Sequence, residues 1–364
     1  MLRMIPDSPK DEHRHGMSAG WRKIMKICVV GLGSISKRHI KNIYRLYPDA
    51  EIDVLRHKKN ADDRTADDAG ERVTEYGREV YSANVLKDKY DAVFITNPTT
   101  MHVSTLKMLA DKSDAFFIEK PLRPIRHDDR HVISGVGAET ADAAALPSDM
   151  ADMALREDMD MIAGLPGGKI YYVACPMRYT QIVKWLKDNI DISGVYSIRA
   201  MSSSYLPEWR PGTDYSECYS ARRSLGGGVA TDLIHEWDYI SYLFGRPEKI
   251  ISVERRLSDL DIDVEDIAVY IGEYERRIAE VHLDYFGRST RRSLELYMAD
   301  DTVICDFIEN RITYLKSGRT VEFDEERDDY QTAELTHFFD IVSGRIANDS
   351  SASEAEELLE LIEG

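Results

Sequence analysis

The chain has 364 residues, 43% of them hydrophobic and 31% charged, which suits two globular domains. A formal net charge of -18 argues against general binding to nucleic acid or anionic lipid. No apolar run approaches the roughly 20 residues that a membrane-spanning helix requires.

Residues 1–24 contain Pro6, Pro9, His13 and His15 but no apolar signal-peptide core, and they read as a disordered tail with Met25 as a candidate true start. From Lys26 onward, short apolar strands alternate with helical stretches, the pattern of a parallel sheet with crossover helices. The expected strands are 26–30, 52–55, a short one at Val80-Tyr81, 91–96 and 115–118. The expected helices are 36–47, a polar one within 61–77, and 103–110. Residues 126–168 break the rhythm and read as a surface insertion or lid, with a helix over 149–163. A strand over 169–175 and a helix over 179–190 follow.

Beyond Gly194 strands dominate, at 195–201, 250–256, 267–274, 277–285, 292–298, 302–307 and 311–315. Their short connections predict a largely antiparallel sheet. Helices are expected over 229–243, 330–341 and 353–362. The fold class is therefore α/β, an N-terminal Rossmann doubly wound parallel sheet plus a C-terminal α+β domain with a large, mostly antiparallel open sheet. Residues 25–177 form the first domain and 178–364 a domain for substrate and oligomerisation.

The turn Gly31-Leu32-Gly33-Ser34-Ile35-Ser36 directly follows a strand and precedes a helix, as a dinucleotide fingerprint must. Gly31 permits the tight turn, Gly33 lets backbone approach a pyrophosphate, and the helix start offers amide donors. Ser36 replaces the usual third glycine. In place of an acidic residue at the end of the second strand stand Arg56-His57-Lys58-Lys59, which suit a 2′-phosphate, so the cofactor is NADP or NAD with NADP favoured. Asp53 lies inside the strand and points elsewhere. Cys28, Cys175, Cys218 and Cys305 lack zinc spacing, so the sequence predicts no metal and a reducing, cytoplasmic location.

Five stretches together resemble the glucose-fructose oxidoreductase and inositol dehydrogenase family, Gfo/Idh/MocA. They are residues 31–39, 91–102 with Thr96-Asn97-Pro98, Glu119-Lys120-Pro121, Arg178-Tyr179, and 226–238. The resemblance implies that Lys120 lies beside a nicotinamide and contacts a substrate hydroxyl, with Asp232 and His235 completing the catalytic set. It implies cofactor contacts from Gly31, Gly33, Ser34, Ile35, Arg56, Asn97, Pro98, His102, Glu119 and Lys120, although structural roles suit His39 and His102 equally.

The residue types fit the chemistry. Taking hydride from a carbinol carbon requires removal of the hydroxyl proton, and imidazole titrates near neutral pH. A lysine favours the developing alkoxide. Asp232 and His235, three apart on a single expected helix, would share a face, and Asp232 would orient the histidine or the sugar. The family often places these residues four apart, and Thr231 occupies that alternative position, so the group that orients His235 is left open.

Arg178, Tyr179, Trp209 and Arg210 are candidate substrate contacts, through stacking and pairing with charged groups. The loop at 205–223 resembles that of family members linked to surface-sugar synthesis, which implies a nucleotide-activated or acidic sugar; a subunit interface is its alternative role. The expected activity is NAD(P)-dependent hydride transfer at a hydroxyl-bearing carbon of a sugar, cyclitol or nucleotide-sugar. The alternatives are a redox-assisted epimerase or lyase with recycled cofactor, and a non-catalytic dinucleotide sensor. The expected partners are a small-molecule substrate and further copies of the chain, as a homodimer or homotetramer through the C-terminal sheet, with no nucleic acid and no membrane.

Overall fold

The computed structural model describes residues 24–56, 72–125 and 148–363. The expected tail, His57 to Lys59, and residues 126–147 of the expected insertion lie outside the described residues.

The first sheet contains β1 (Lys26–Val30), β2 (Glu51–Leu55), β3 (Arg72–Thr74), β4 (Gly77–Val80), β5 (Ala92–Ile95), β6 (Ala115–Ile118) and β7 (Ile170–Val173). Their order is β3-β4-β2-β1-β5-β6-β7. All neighbours are parallel except β3 and β4. The strand order reverses between β1 and β5, which opens a crevice at their carboxyl ends. Strands β5 and β6 are buried at every residue, as a sheet covered on both faces demands.

One covering layer comes from far along the chain. Helix α7 (Arg327–Val342) sets Leu335, Phe338, Phe339 and Ile341 against Ile27, Val29, Phe94 and Phe117. Phe94 and Phe117 stack at 4.8 Å, and the Phe338 edge meets them at 5.6 and 5.3 Å. The stretch before α8 (Ala352–Glu363) extends the edge at β7, where the Val173 N–H donates to Ser350 O at 2.8 Å and the Ser350 hydroxyl to Val173 O at 2.7 Å.

Eight strands form the second sheet: β8 (Val195–Tyr205), β9 (Lys249–Arg255), β10 (Ile267–Tyr274), β11 (Arg277–Asp284), β12 (Phe286–Met298), β13 (Thr302–Asp306), β14 (Arg311–Tyr314) and β15 (Thr320–Glu322). The order is β15-β14-β13-β12-β8-β11-β10-β9, and only β8 with β11 is parallel. Its inner face carries Ile198, Val281, Leu283, Leu294 and Leu296, all buried. Helices α5 (Val229–Asp232) and α6 (His235–Phe244) accompany that face, with Trp237 so close to Gly272 that a Cβ there would stand 2.7 Å from the ring. The outer face leaves Ile251, Val253 and Ile278 exposed. Among the described residues, no helix is long and apolar enough to cross a membrane.

Four expectations change. Arg72–Thr74 of the expected polar helix is a strand hydrogen-bonded to β4, because the sheet edge offers partners that local propensity does not reveal. Helix α3 (Ser148–Ala163), assigned to an insertion, is the crossover that two adjacent parallel strands, β6 and β7, require. Strand β12 begins earlier than expected, at Phe286, across a register shift before Arg291. The single helix over 229–243 is two helices, interrupted at Leu233 (φ -103°, ψ 24°).

Candidate active site

The crevice is built first by the glycine turn. Gly31 has φ +95°, and a Cβ there would stand 3.3 Å from Thr96 O, so both conformation and space favour glycine. Ser36 does more than fit: the Thr96 hydroxyl donates to Val30 O at 2.8 Å, the Ser36 hydroxyl lies 2.8 Å from it, and Ser36 Oγ accepts from Gly33 N–H at 3.2 Å. The third fingerprint position thus locks the turn by hydrogen bonds.

Nothing stands within 4 Å of a Cβ placed on Gly33, at the start of helix α1 (Ser34–Leu46). The N–H groups of Ser34 and Ile35 begin a helix whose dipole favours negative charge there. Nearby, Asn97 Nδ2 donates to Thr105 Oγ1 at 2.8 Å while its buried Oδ1 has no partner among the described residues. An open amide cradle and an orphaned acceptor fit a dinucleotide.

At the end of β2, Arg56 donates to the buried carboxylate of Glu79 at 2.6 Å and lies over Tyr81. Asp53 indeed points elsewhere, binding the Arg78 guanidinium at 2.9 and 2.7 Å and accepting from Tyr90 at 2.6 Å. Pro98 precedes a short turn of helix at Thr99–Met101. His102 sets its ring nitrogens 3.0 and 2.9 Å from Pro121 O and Asn97 O, tying the β5 and β6 exit loops together from behind the crevice. Glu119 lies 2.6 Å from His39 Nε2. Burial raises the Glu119 pKa, but His39, then Lys120 and His102, outweigh it and hold the carboxyl below the usual range.

Lys120 crosses to the second sheet's elements. Its Nζ donates to the Asp232 carbonyl at 2.7 Å and lies 4.0 Å from Asp232 Oδ1. Burial lowers the lysine pKa, opposed by Asp232 and Glu119. Asp232 Oδ2 accepts from the buried Tyr285 hydroxyl at 2.7 Å. Trp209 meets the Tyr285 ring edge-on at 5.3 Å and donates to Ser204 at 2.9 Å.

The three glycines before α5 permit this approach. A Cβ on Gly226 would stand 3.2 Å from Thr99 Cβ, on Gly227 2.1 Å from Tyr219 O, and on Gly228 2.3 Å from Glu265 Oε1. Tyr219 and Thr99 hydroxyls, 2.7 Å apart, join the two sides.

His235 faces a recess of about 460 Å³ together with Lys120, Arg178 and Asp238. Its ring makes no hydrogen bond or ion pair among the described residues, and Asp232, one of the two groups left open for orienting it, bonds Tyr285 instead, the break at Leu233 lying between them. Thr231 does not orient it either, since its buried Oγ1 has no partner among the described residues. Burial, then the charges of Lys120, Arg292 and Arg327, hold the imidazole well below its usual pKa. A lowered pKa favours the neutral form of the ring.

The substrate candidates divide. Arg178 reaches the recess but pairs with Asp238 at 3.0 and 2.6 Å. Tyr179 is buried away from it, its hydroxyl 3.1 Å from that of Tyr172. Arg210 is exposed beside Trp209 at a shallow recess of about 210 Å³. Sequence reading singled out the 205–223 loop that carries Tyr219 without naming Tyr219 itself, and it missed Tyr285 and Arg292, which come from a strand junction and a strand with no distinguishing local pattern.

The Gfo/Idh/MocA family model, described as an oxidoreductase family with an NAD-binding Rossmann fold, matches residues 25–132. The likeness to that family lies in these residues, which carry β1 to β6 of the first sheet. No curated protein matches in sequence.

Solved structures share the whole architecture. UDP-N-acetylglucosamine 3-dehydrogenase GnnA from Acidithiobacillus ferrooxidans is 17% identical, with 93% of this chain and 95% of that one covered and a TM-score of 0.62. The WlbA dehydrogenase from Bordetella pertussis, in complex with NADH and UDP-GlcNAcA, is 16% identical, with 93% and 94% covered and a TM-score of 0.64. Levoglucosan dehydrogenase, in complex with NADH and levoglucosan, is 14% identical, with 93% and 94% covered and a TM-score of 0.67. At such identities the likeness establishes the fold.

Proposed function

We propose that the chain transfers a hydride between NAD(P) and a hydroxyl-bearing carbon of a sugar, cyclitol or nucleotide-sugar. The observation that carries this reading is the meeting of Lys120, Asp232 and Tyr285 at the carboxyl ends of the first sheet's strands, with His235, unbonded among the described residues, lining the same recess as the lysine. Sugar-linked substrates named for the similar structures support the substrate class.

When bound, the nicotinamide supplies the hydride acceptor. The Ser34 and Ile35 amides would hold its pyrophosphate, and Asn97 Oδ1 would accept from one of its donors. His235 takes the hydroxyl proton as the carbinol carbon loses its hydride and becomes a ketone. Lys120, fixed by Asp232, donates to the same oxygen and favours its developing negative charge. Tyr285 holds the Asp232 carboxylate in place. Of the two dinucleotides we favour NADP, because Glu79 fixes the Arg56 guanidinium beside the expected ribose position.

The test titrates NADH and NADPH against wild type and Lys120→Ala, then measures turnover on sugars and nucleotide-sugars. Dinucleotide affinity changes less than about threefold and turnover falls at least about 100-fold, the scale of a lost proton-handling or oxyanion contact. Unchanged turnover refutes the assignment of Lys120.

The exposed Ile251, Val253 and Ile278 lead us to place a homo-oligomer contact on the outer face of the second sheet; a monomer mass in sedimentation overturns this. Buried thiols at Cys28, Cys175 and Cys305 suit a cytoplasmic location, which fractionation of the source cells tests.

A further inference from the structure

The recess that Lys120 and His235 line has an apolar wall that the reaction above does not use. Leu122 from the loop after β6, Val173 at the end of β7, Ile234, and Ala355, Leu358 and Leu359 of α8 supply it. Ala355 is partly buried and packs against one continuous apolar cluster, in which the other five are buried.

The polar side chains of the same lining are already satisfied. Arg178 donates from Nε and Nη2 to Asp238 at 3.0 and 2.6 Å, and from Nη1 to Asp349 O at 2.8 Å. The Ser350 hydroxyl donates to Val173 O at 2.7 Å, and Glu354 accepts from the Ser351 N–H and hydroxyl, each at 2.8 Å. Lys120 donates to Asp232 O. Of the polar side chains that line the recess, His235 alone has no partner among the described residues. A polar substituent pressed against α8 would lose its water and find no partner, which is unfavourable. An alkyl substituent there would exchange water for apolar contacts.

The wall is held from both sides of the recess. Arg123, three residues after Lys120, donates to Glu356 at 2.8 Å and to Glu363 at 2.6 Å. Arg246, two residues beyond the helix that His235 begins, pairs with Glu357 and donates to Glu354 O at 3.1 Å. Helix α8 is thus tied to the loop that carries Lys120 and to the helix that carries His235, and a surface fixed before binding loses little freedom on binding. At about 460 Å³ the recess lies toward the small end of ligand pockets, roughly 300–1,000 Å³, which suits part of a sugar ring with a short group rather than a long chain.

We propose that Ala355, Leu358 and Leu359, with Leu122 and Ile234, form a specificity subsite for a methyl or other short alkyl group carried by the substrate. This rests on the oxidoreductase reading above and narrows its substrate to a deoxysugar or alkylated sugar derivative. The alkyl group seats against α8 and orients the ring, so that the hydroxyl to be oxidised faces Lys120 and His235. Each buried CH₂ tightens binding roughly fourfold, and avoiding an unpartnered hydroxyl adds to that, so a methyl in place of a hydroxymethyl is favoured about tenfold.

The test measures binding to the protein saturated with its preferred dinucleotide. The probes are pairs that differ in one hydroxyl: D-glucose with 6-deoxy-D-glucose, D-galactose with D-fucose, and D-mannose with D-rhamnose. Each pair is run free and as its UDP or GDP derivative, on wild type, Ala355→Leu and Leu358→Asn. At least one deoxy probe binds wild type about tenfold more tightly than its hydroxylated counterpart. Ala355→Leu fills the space and brings that preference to within threefold by weakening the deoxy member. Leu358→Asn does so by giving the hydroxylated member a partner. Dinucleotide affinity stays within threefold in both, which shows that each variant is folded. A panel in which no deoxy probe is preferred overturns the proposal, as does a preference that survives in either folded variant. A tenfold loss of dinucleotide affinity in folded Ala355→Leu, with circular dichroism unchanged, also overturns it, by assigning the wall to the cofactor. Failure of wild type to bind either dinucleotide instead defeats the oxidoreductase reading on which the subsite rests.

Discussion

Replacing Arg123 by methionine tests how α8 is held over the recess that contains His235. Arg123 is wholly buried. Its Nε lies 2.8 and 3.0 Å from the two oxygens of Glu356, and its Nη1 and Nη2 lie 2.6 and 3.1 Å from those of Glu363. Both carboxylates belong to α8, whose Leu358 and Leu359 line the recess. Removing one partner of a buried ion pair costs about 3–5 kcal/mol, because the charges left behind stay desolvated. At about 2.1 cal/mol/K of unfolding entropy per residue, a chain of this length loses roughly 1.3 °C per kcal/mol, so Arg123→Met lowers Tm by roughly 4–7 °C.

Differential scanning calorimetry reads that shift. The triple variant Arg123→Met, Glu356→Gln, Glu363→Gln recovers most of the loss, since neutral amides remove the uncompensated charge while keeping the volume. A fall of less than about 1 °C in the single variant, or no recovery in the triple, refutes the argument that this cluster anchors the helix.

Tyr285→Phe removes the donor to Asp232 Oδ2; a hydrogen bond to a charged group contributes about 1.5–3 kcal/mol, so turnover falls about 10- to 150-fold with dinucleotide affinity unchanged. Steady-state kinetics at saturating cofactor reads the change, and undiminished turnover shows that Asp232 needs no such support. Glu325 accepts the Gln181 N–H at 3.0 Å, and its carboxyl is pushed up to about 7, chiefly by burial. A folded-state pKa above the unfolded value of 4.5 means that the folded chain binds the extra proton, so this group's stability contribution is present at low pH and is lost as pH rises through about 7. Tm measured from pH 4.5 to 8 therefore declines more steeply in wild type than in Glu325→Gln; parallel curves refute the shift.

Much of this molecule was legible locally. Apolar runs such as Ala115–Ile118 mark buried parallel strands, and Gly31 with Gly33 between a strand and a helix marks an anion cradle, because turn, amide donors and dipole are all properties of contiguous chain. The order and spacing of Glu119-Lys120-Pro121 and the glycines before Val229 likewise carried the family resemblance. Tertiary structure decided what those residues meet. Tyr285 reaches Asp232 across 53 positions of sequence, and Arg123 meets Glu356 across 233. Local pattern gave a continuous helix through Asp232 and His235, whereas the fold breaks it at Leu233 and gives Asp232 to Lys120 and Tyr285. A short sequence window specifies backbone conformation and which face is apolar; which charge neutralises which is set by distance in the folded chain, where desolvation makes each pairing matter.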